Sequence, residues 1–166
     1  MSARDLRSRT REAIVEAFGD LVHDGGDRLY DGELADNYGQ ETSLTRRLAS
    51  LTYEHWSEIP DWAIADSRCA LSYFGSESFR FHLPAYMVWT LDNLKSTSLS
   101  ADMTIYALLP YDDDPDIHQR RLERFAAFDE PQREAIRSFL RFAAEHDGDL
   151  DGHAARQALE KFWDSE

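Results

Sequence analysis

The most informative segment of the chain reads FRFHLPAYMVWTL over residues 79–91. From Ala85 onward the segment is apolar on nearly every side of a helix, and a helix of that kind is buried in the middle of a domain. Apolar and polar residues alternate over residues 79–83, which is typical of a short strand. Pro84 suits the first turn of a helix, where its missing N–H is not needed. We therefore predict a strand-like entry into one central, buried helix.

Apolar residues at helical spacing on both sides of this segment predict the surrounding helices. These helices are expected at about residues 8–23, 42–55, 61–74, 116–125, 129–146 and 152–163. Residues 27–41 are predicted to be a loop with one helical turn at most, and residues 75–78 a turn. For residues 103–109 the pattern leaves helix and strand both open.

Together these patterns predict a mainly α fold. It is a compact single-domain bundle of about six helices around the buried one, with one short strand or hairpin possible. The length of 166 residues is that of one domain. We expect residues 1–166 to form that domain, with residues 1–7 frayed.

The predicted helix at residues 129–146 carries two further signals. Asp129 with Gln132 at the third helical position is a capping box. Arg133, Arg137 and Arg141 follow at a spacing of four, which predicts a row along one helix face, most simply a solvent-exposed one. The alternative is that the row contacts the acidic loop of the same chain.

The overall charge excludes some partners and favours others. The chain has 32 acidic and 18 basic residues, a formal charge of -14. Such a field repels nucleic-acid phosphates and anionic lipids and attracts basic proteins. We see neither a signal peptide nor an apolar stretch of about 18 residues, so we expect a cytoplasmic protein that contacts neither nucleic acid nor membrane.

The densest acidic stretch is a predicted loop between two helices. It holds Asp112, Asp113, Asp114 and Asp116. A basic partner would most naturally dock there, because opposite charges steer association. The alternative is an exposed turn without a function.

A second acidic stretch resembles part of a calcium-binding loop. Asp147, Asp149, Asp151 and Gly152 match positions 1, 3, 5 and 6 of an EF-hand. Position 12, which should be a bidentate Glu, is Ala158. We therefore expect weak calcium binding at most. The alternative is an acidic helix–helix loop in which Asp151 favours the start of the last helix.

No catalytic set is recognisable in the sequence, and no cofactor is predicted. Cys69 is the only cysteine, and the six histidines lack metal-ligand spacing. His55 is expected on the apolar face of the helix that begins near residue 42. No metal site is predicted, although a zinc site assembled from residues distant in sequence stays open.

Arg80 and His82 are the candidate pocket residues, because they project from the segment beside the central helix. They would line a pocket for an anion. The alternative, which we favour, is that Arg80 pairs with an acidic residue of the same chain.

Several segments also resemble a known family. The residues are the sequence from Phe79 to Met87, the upstream Trp56, and the stretch from Phe125 to Leu140. They resemble a family of small bacterial proteins of unknown function with an aromatic–Arg–aromatic step into Leu-Pro-Ala. The resemblance implies a bacterial cytoplasmic protein, and it brings no catalytic residues with it.

The leading hypothesis is therefore a binding protein. Small acidic bacterial proteins of this kind look like immunity proteins that neutralise a basic toxin or effector, which is an analogy rather than a derivation. The alternatives are a weak calcium-binding or other regulatory domain, and an enzyme with a pocket near Arg80 and His82.

Overall fold

A computed structural model describes residues 1–111 and 113–165, and these residues form ten α-helices. The helices are α1 Ala3–Phe18, α2 Leu29–Asp36, α3 Ser43–Leu48, α4 Asp61–Asp66, α5 Ala70–Tyr73, α6 Ser76–Asp92, α7 Ser100–Ala107, α8 Pro115–Ala126, α9 Glu130–Glu145 and α10 Gly152–Ala158. A 3-10 turn at Trp56–Glu58 precedes α4, and a π-helical turn at Leu159–Trp163 continues α10. The prediction of a mainly α fold is confirmed.

Helix α6 is the centre of the fold, as predicted. Nearly every side chain from Ser78 to Leu91 is buried, with Phe79, Leu83 and Met87 fully covered. α1, α7 and α8 pack around it. Burial of a large aromatic or aliphatic side chain contributes about 1.5–3 kcal/mol, so this helix anchors the core.

The predicted strand at residues 79–83 and the predicted turn at residues 75–78 are wrong. Residues 79–83 lie inside α6, which already begins at Ser76 within the predicted turn, and Pro84 therefore stands in the helix interior. A helix buried on all sides needs no apolar period, so a chance alternation within it imitates a strand. The described residues contain no β-strand, only an isolated bridge between Asp147 and Leu150.

α9 packs along α1 on one side and α10 on the other. Its predicted capping box is confirmed, because the Asp129 Oδ1 accepts from the Gln132 N–H at 2.9 Å and the Gln132 Oε1 from the Asp129 N–H at 3.1 Å. The last turn buries Trp163, whose Nε1 donates to the Leu108 carbonyl at 2.8 Å. That bond ties the end of the chain to α7.

Three further predicted elements differ from those observed. α1 spans Ala3–Phe18 instead of residues 8–23, so it includes part of the segment expected to be frayed. Residues 27–41 contain the helix α2 rather than a loop, and α3 ends at Leu48. His55 therefore lies beyond α3, where its Nδ1 caps the 3-10 turn by accepting from the Ser57 N–H at 3.1 Å. The ambiguous residues 103–109 begin as helix, in α7.

The helix predicted over residues 61–74 is broken in two, and α2 supplies the reason. The Glu33 carboxylate accepts the Cys69 and Ala70 N–H groups at 2.9 and 3.0 Å. Because these N–H groups bond Glu33, α4 ends at Asp66 and a separate helix, α5, begins at Ala70. α2 and α5 also pack very closely, since a Cβ at Gly32 would lie 2.8 Å from the Ala70 Cα.

Among the described residues, no helix has the combined length and apolar character that crossing a bilayer demands.

Candidate functional site

The predicted docking loop leads into α8. Asp112 lies outside the described residues, whereas Asp113, Asp114 and Asp116 are exposed. Asp114 caps α8, because its Oδ1 accepts from the backbone N–H groups of Asp116 and Ile117 at 2.9 and 3.2 Å. The carboxylates of Asp113 and Asp116 make no such bond among the described residues and face solvent.

In the calcium-like loop, the carboxylates of Asp147 and Asp151 bond other groups of the chain. One oxygen of Asp151 caps α10 by accepting from the Ala154 N–H at 3.0 Å, and the other accepts from the Tyr106 hydroxyl at 2.6 Å. Asp147 pairs with Arg156 at 3.3 Å. Within the described part of the chain, Asp147, Asp149 and Asp151 do not converge on one point. This arrangement fits the helix–helix loop better than an EF-hand.

Tyr106 joins the two acidic loops. Its hydroxyl bonds Asp151, which raises the pKa of Tyr106 and lowers the pKa of Asp151. Its carbonyl accepts from Arg121, whose guanidinium lies 6.0 Å from the ring of Tyr111, two residues before Asp113. We name this region the acid–tyrosine face, and its exposed members are Tyr106, Tyr111, Asp113, Asp116 and Asp149 together with the half-buried Asp102 and Asp151.

Most arginine side chains near the core point inward. Arg124 donates to the Leu71 carbonyl at 2.9 Å and lies over the ring of Phe79, and burial lowers its pKa to about 10, with Arg121 and Arg120 adding to the effect. Arg121 donates to the carbonyls at the end of α7. Such fork-shaped contacts with carbonyls and rings suit arginine better than lysine.

The predicted solvent-exposed arginine row on α9 is wrong for two of its three members. Arg133 and Arg137 side chains are only 11% and 12% exposed. Arg133 lies over the Phe162 ring, and Arg137 donates to the Trp163 carbonyl at 2.7 Å. Only Arg141 is half exposed, at 49%. The aromatic rings of the last turn draw Arg133 inward and the Trp163 carbonyl draws Arg137 inward, which helical spacing alone does not reveal.

His82 is a structural residue of the core. Its Nδ1–H donates to the Ser78 carbonyl at 2.7 Å, so its Nε2 is left to accept from the Tyr53 hydroxyl at 2.9 Å. That hydroxyl in turn accepts from the Leu29 N–H at 3.0 Å. Burial lowers the pKa of His82 to about 3, and the ring is neutral at physiological pH.

Arg80 faces away from His82. Its Nε donates to the Gln132 Oε1 at 3.0 Å, and Glu77 and Asp129 each lie at 3.9 Å. The cavity beside it measures about 60 Å³ and is not lined by His82. The structure therefore does not bring the two candidate pocket residues together.

A larger cavity, which the sequence did not reveal, lies between α2, the α4–α5 junction and residues 96–99. This polar cleft measures about 750 Å³. Its charged and thiol lining residues are Glu33, Asp36, Arg47, Asp66, Arg68 and Cys69. Burial, with the Glu33 and Asp36 carboxylates, raises the pKa of the Cys69 thiol to about 11. No motif marks the cleft, because its lining residues come from three separate segments, at residues 33–47, 65–69 and 96–99.

The fold and these surfaces define an acidic, mainly α domain with an exposed acid–tyrosine face and a separate polar cleft. Residues 7–166 match the model of a Family of unknown function (DUF6714), and the chain belongs to this family. No curated protein and no solved structure matches the chain significantly.

Proposed function

We propose that this domain binds a basic protein through its acid–tyrosine face, as an inhibitor of the immunity type. The observation that carries the proposal is the hydrogen bond from Tyr106 of α7 to Asp151 of the second acidic loop, on a residue that Arg121 also connects with Tyr111 beside the first acidic loop. The surface combines free carboxylates with half-exposed tyrosine rings, 41% for Tyr106 and 39% for Tyr111.

The charge distribution supports a basic partner. The formal charge is -14, and several of the 18 basic side chains turn their charge toward internal carbonyls and rings. Their neutralising effect at the surface is correspondingly reduced. A surface of this sign speeds association with a cationic protein, and salt weakens the effect because the Debye length is about 8 Å at physiological ionic strength.

The tyrosines supply the second ingredient of an interface. Tyrosine is enriched among the few residues that carry most of the binding energy, since a rigid ring buries large area and its hydroxyl still bonds. An arginine of the partner can stack on such a ring while bonding a carboxylate beside it. Tyr111 beside Asp113 offers this pair.

The cellular setting belongs to the same proposal. The resemblance to small bacterial proteins, the size and the acidity support a bacterial cytoplasmic inhibitor that neutralises a toxin or effector before it acts.

Capture of the partner tests the binding. The tagged chain is incubated with extract of its source organism at low salt, and retained proteins are identified by mass spectrometry. We expect a protein with a strongly basic surface that is released at high salt. The Asp113→Asn/Asp116→Asn variant should lose it. The Glu12→Gln/Glu16→Gln variant of α1 should retain it, although it changes the net charge equally.

Growth tests the inhibitory part. Expression of the captured partner alone should arrest growth, and co-expression of the wild-type chain should relieve the arrest. A partner that is harmless alone contradicts the immunity role, and a partner retained equally by both double variants contradicts the proposed face.

A further inference from the structure

Three potential metal ligands of different chemistry meet in the polar cleft. Glu33 and Asp36 stand one turn apart on α2, and Cys69 lies at the start of α5. One ligand atom of each, two carboxylate oxygens and the Sγ, all lie within 4.8 Å of one another. Two separate helices therefore bring two hard oxygen ligands and one soft sulfur ligand close together at the wall of the cleft.

The state of Glu33 supports a cation at this point. The residue is only 8% exposed and burial raises its pKa; among the described residues Arg68 acts on it electrostatically, but no basic nitrogen lies within ion-pair distance. Its Oε1 accepts two backbone N–H groups, while its Oε2 makes no hydrogen bond among those residues. Buried carboxylates in proteins are paired, neutral or bound to metal, because an uncompensated charge is costly.

We propose that the Glu33, Asp36 and Cys69 cluster binds a divalent ion of the zinc type. The thiolate favours Zn²⁺, Co²⁺ or Cd²⁺ over Ca²⁺ and Mg²⁺, which take oxygen ligands. Zinc accepts sulfur at about 2.3 Å and carboxylate oxygen at about 2.0–2.2 Å in a tetrahedron. Zinc binding would draw the three atoms to that spacing by side-chain rotation, and a water molecule from the cleft would supply the fourth ligand.

The neighbouring groups define the chemistry of binding. The Tyr73 hydroxyl donates to the Asp36 Oδ1 at 3.0 Å and so orients that carboxylate. The Arg68 cation opposes binding from the same cleft. The metal displaces the thiol proton of Cys69 to solvent, forming a metal–sulfur bond, so affinity rises with pH.

Cobalt and zinc titrations of the metal-free full chain test the site. We expect Co²⁺ to produce a thiolate-to-cobalt charge-transfer band and Zn²⁺ to abolish it with micromolar or tighter affinity. Cys69→Ser should remove the band, and Glu33→Gln and Asp36→Asn should each weaken Zn²⁺ binding by more than about 100-fold, beyond the effect of losing an outer-sphere partner. Glu33→Gln keeps an oxygen that accepts the two N–H groups, so the fold is retained.

Asp66→Asn is the matched control, because Asp66 lines the same cleft outside the cluster. It should leave the Zn²⁺ affinity unchanged. Circular dichroism verifies that each variant is folded. Absence of a charge-transfer band in the folded wild type overturns the proposal. Zn²⁺ affinity that is unaltered in folded Cys69→Ser, or Mg²⁺ that competes equally, also overturns it.

Discussion

The buried His82 makes the stability of the fold fall with acidification. Its pKa is near 3 in the folded state and about 6.5 when the chain unfolds. Between these values the unfolded state binds the extra proton, so the stabilisation is fully present above pH 6.5 and is lost as the pH falls toward 3. Lowering the pH from 7 to 5 should therefore reduce the free energy of unfolding by about 2 kcal/mol through this residue alone.

Urea unfolding at several pH values measures this effect against a matched variant. His82→Gln is uncharged at every pH, so the wild-type profile minus the variant profile isolates the histidine. Groups that face His82, such as Tyr53, His23 and Arg28, are common to both proteins. The difference in the free energy of unfolding between pH 7 and 5 is equivalent to a shift in melting temperature of roughly 4–8 °C, which thermal unfolding of the same two proteins can check.

A direct reading comes from the histidine ring resonances of the folded wild type. The His82 ring should stay neutral, with the proton on Nδ1, throughout that pH range. Titration of the folded ring near pH 6.5, or equal pH slopes in wild type and His82→Gln, would refute the reasoning.

Three further substitutions probe the packing. Gly32→Ala places a Cβ 2.8 Å from the Ala70 Cα, and chemical denaturation should show a loss of about 1–3 kcal/mol; an unchanged midpoint would mean that α2 and α5 separate freely. Asp129→Ala removes the cap of α9 and should cost about 1 kcal/mol in the same assay, whereas Asp129→Asn should cost less. Arg137→Lys keeps the charge but loses the forked contacts with the last turn and Glu130, so thermal unfolding should occur several degrees lower; a wild-type melting temperature would show that charge alone suffices.

The sequence predicted the structure correctly where a few neighbouring residues determine it. The capping box at Asp129 and the apolar run after Ala85 each encode their outcome within a few residues. The apolar–polar alternation at residues 79–83 led to the wrong prediction of a strand, because the pattern of apolar residues carries no information about secondary structure inside a fully buried helix.

The sites were harder to predict because their parts are distant in sequence. The acidic loops were visible, but the bond from Tyr106 to Asp151 spans 45 residues. Glu33 lies in a segment that reads as a loop, and its role appears only when α5 is packed against α2. Pair contacts of this range leave no trace in a single sequence.

The central claim is that a basic protein binds the acid–tyrosine face, and the affinity of the captured partner for defined variants tests it most directly. Tyr111→Ala should weaken binding by about 1–2 kcal/mol, or roughly 5- to 30-fold, at constant salt. Val15→Ala, at an apolar residue of similar exposure elsewhere on the surface, should leave the dissociation constant unchanged. Equal affinities of wild type and Tyr111→Ala, with no dependence on salt, would contradict the claim.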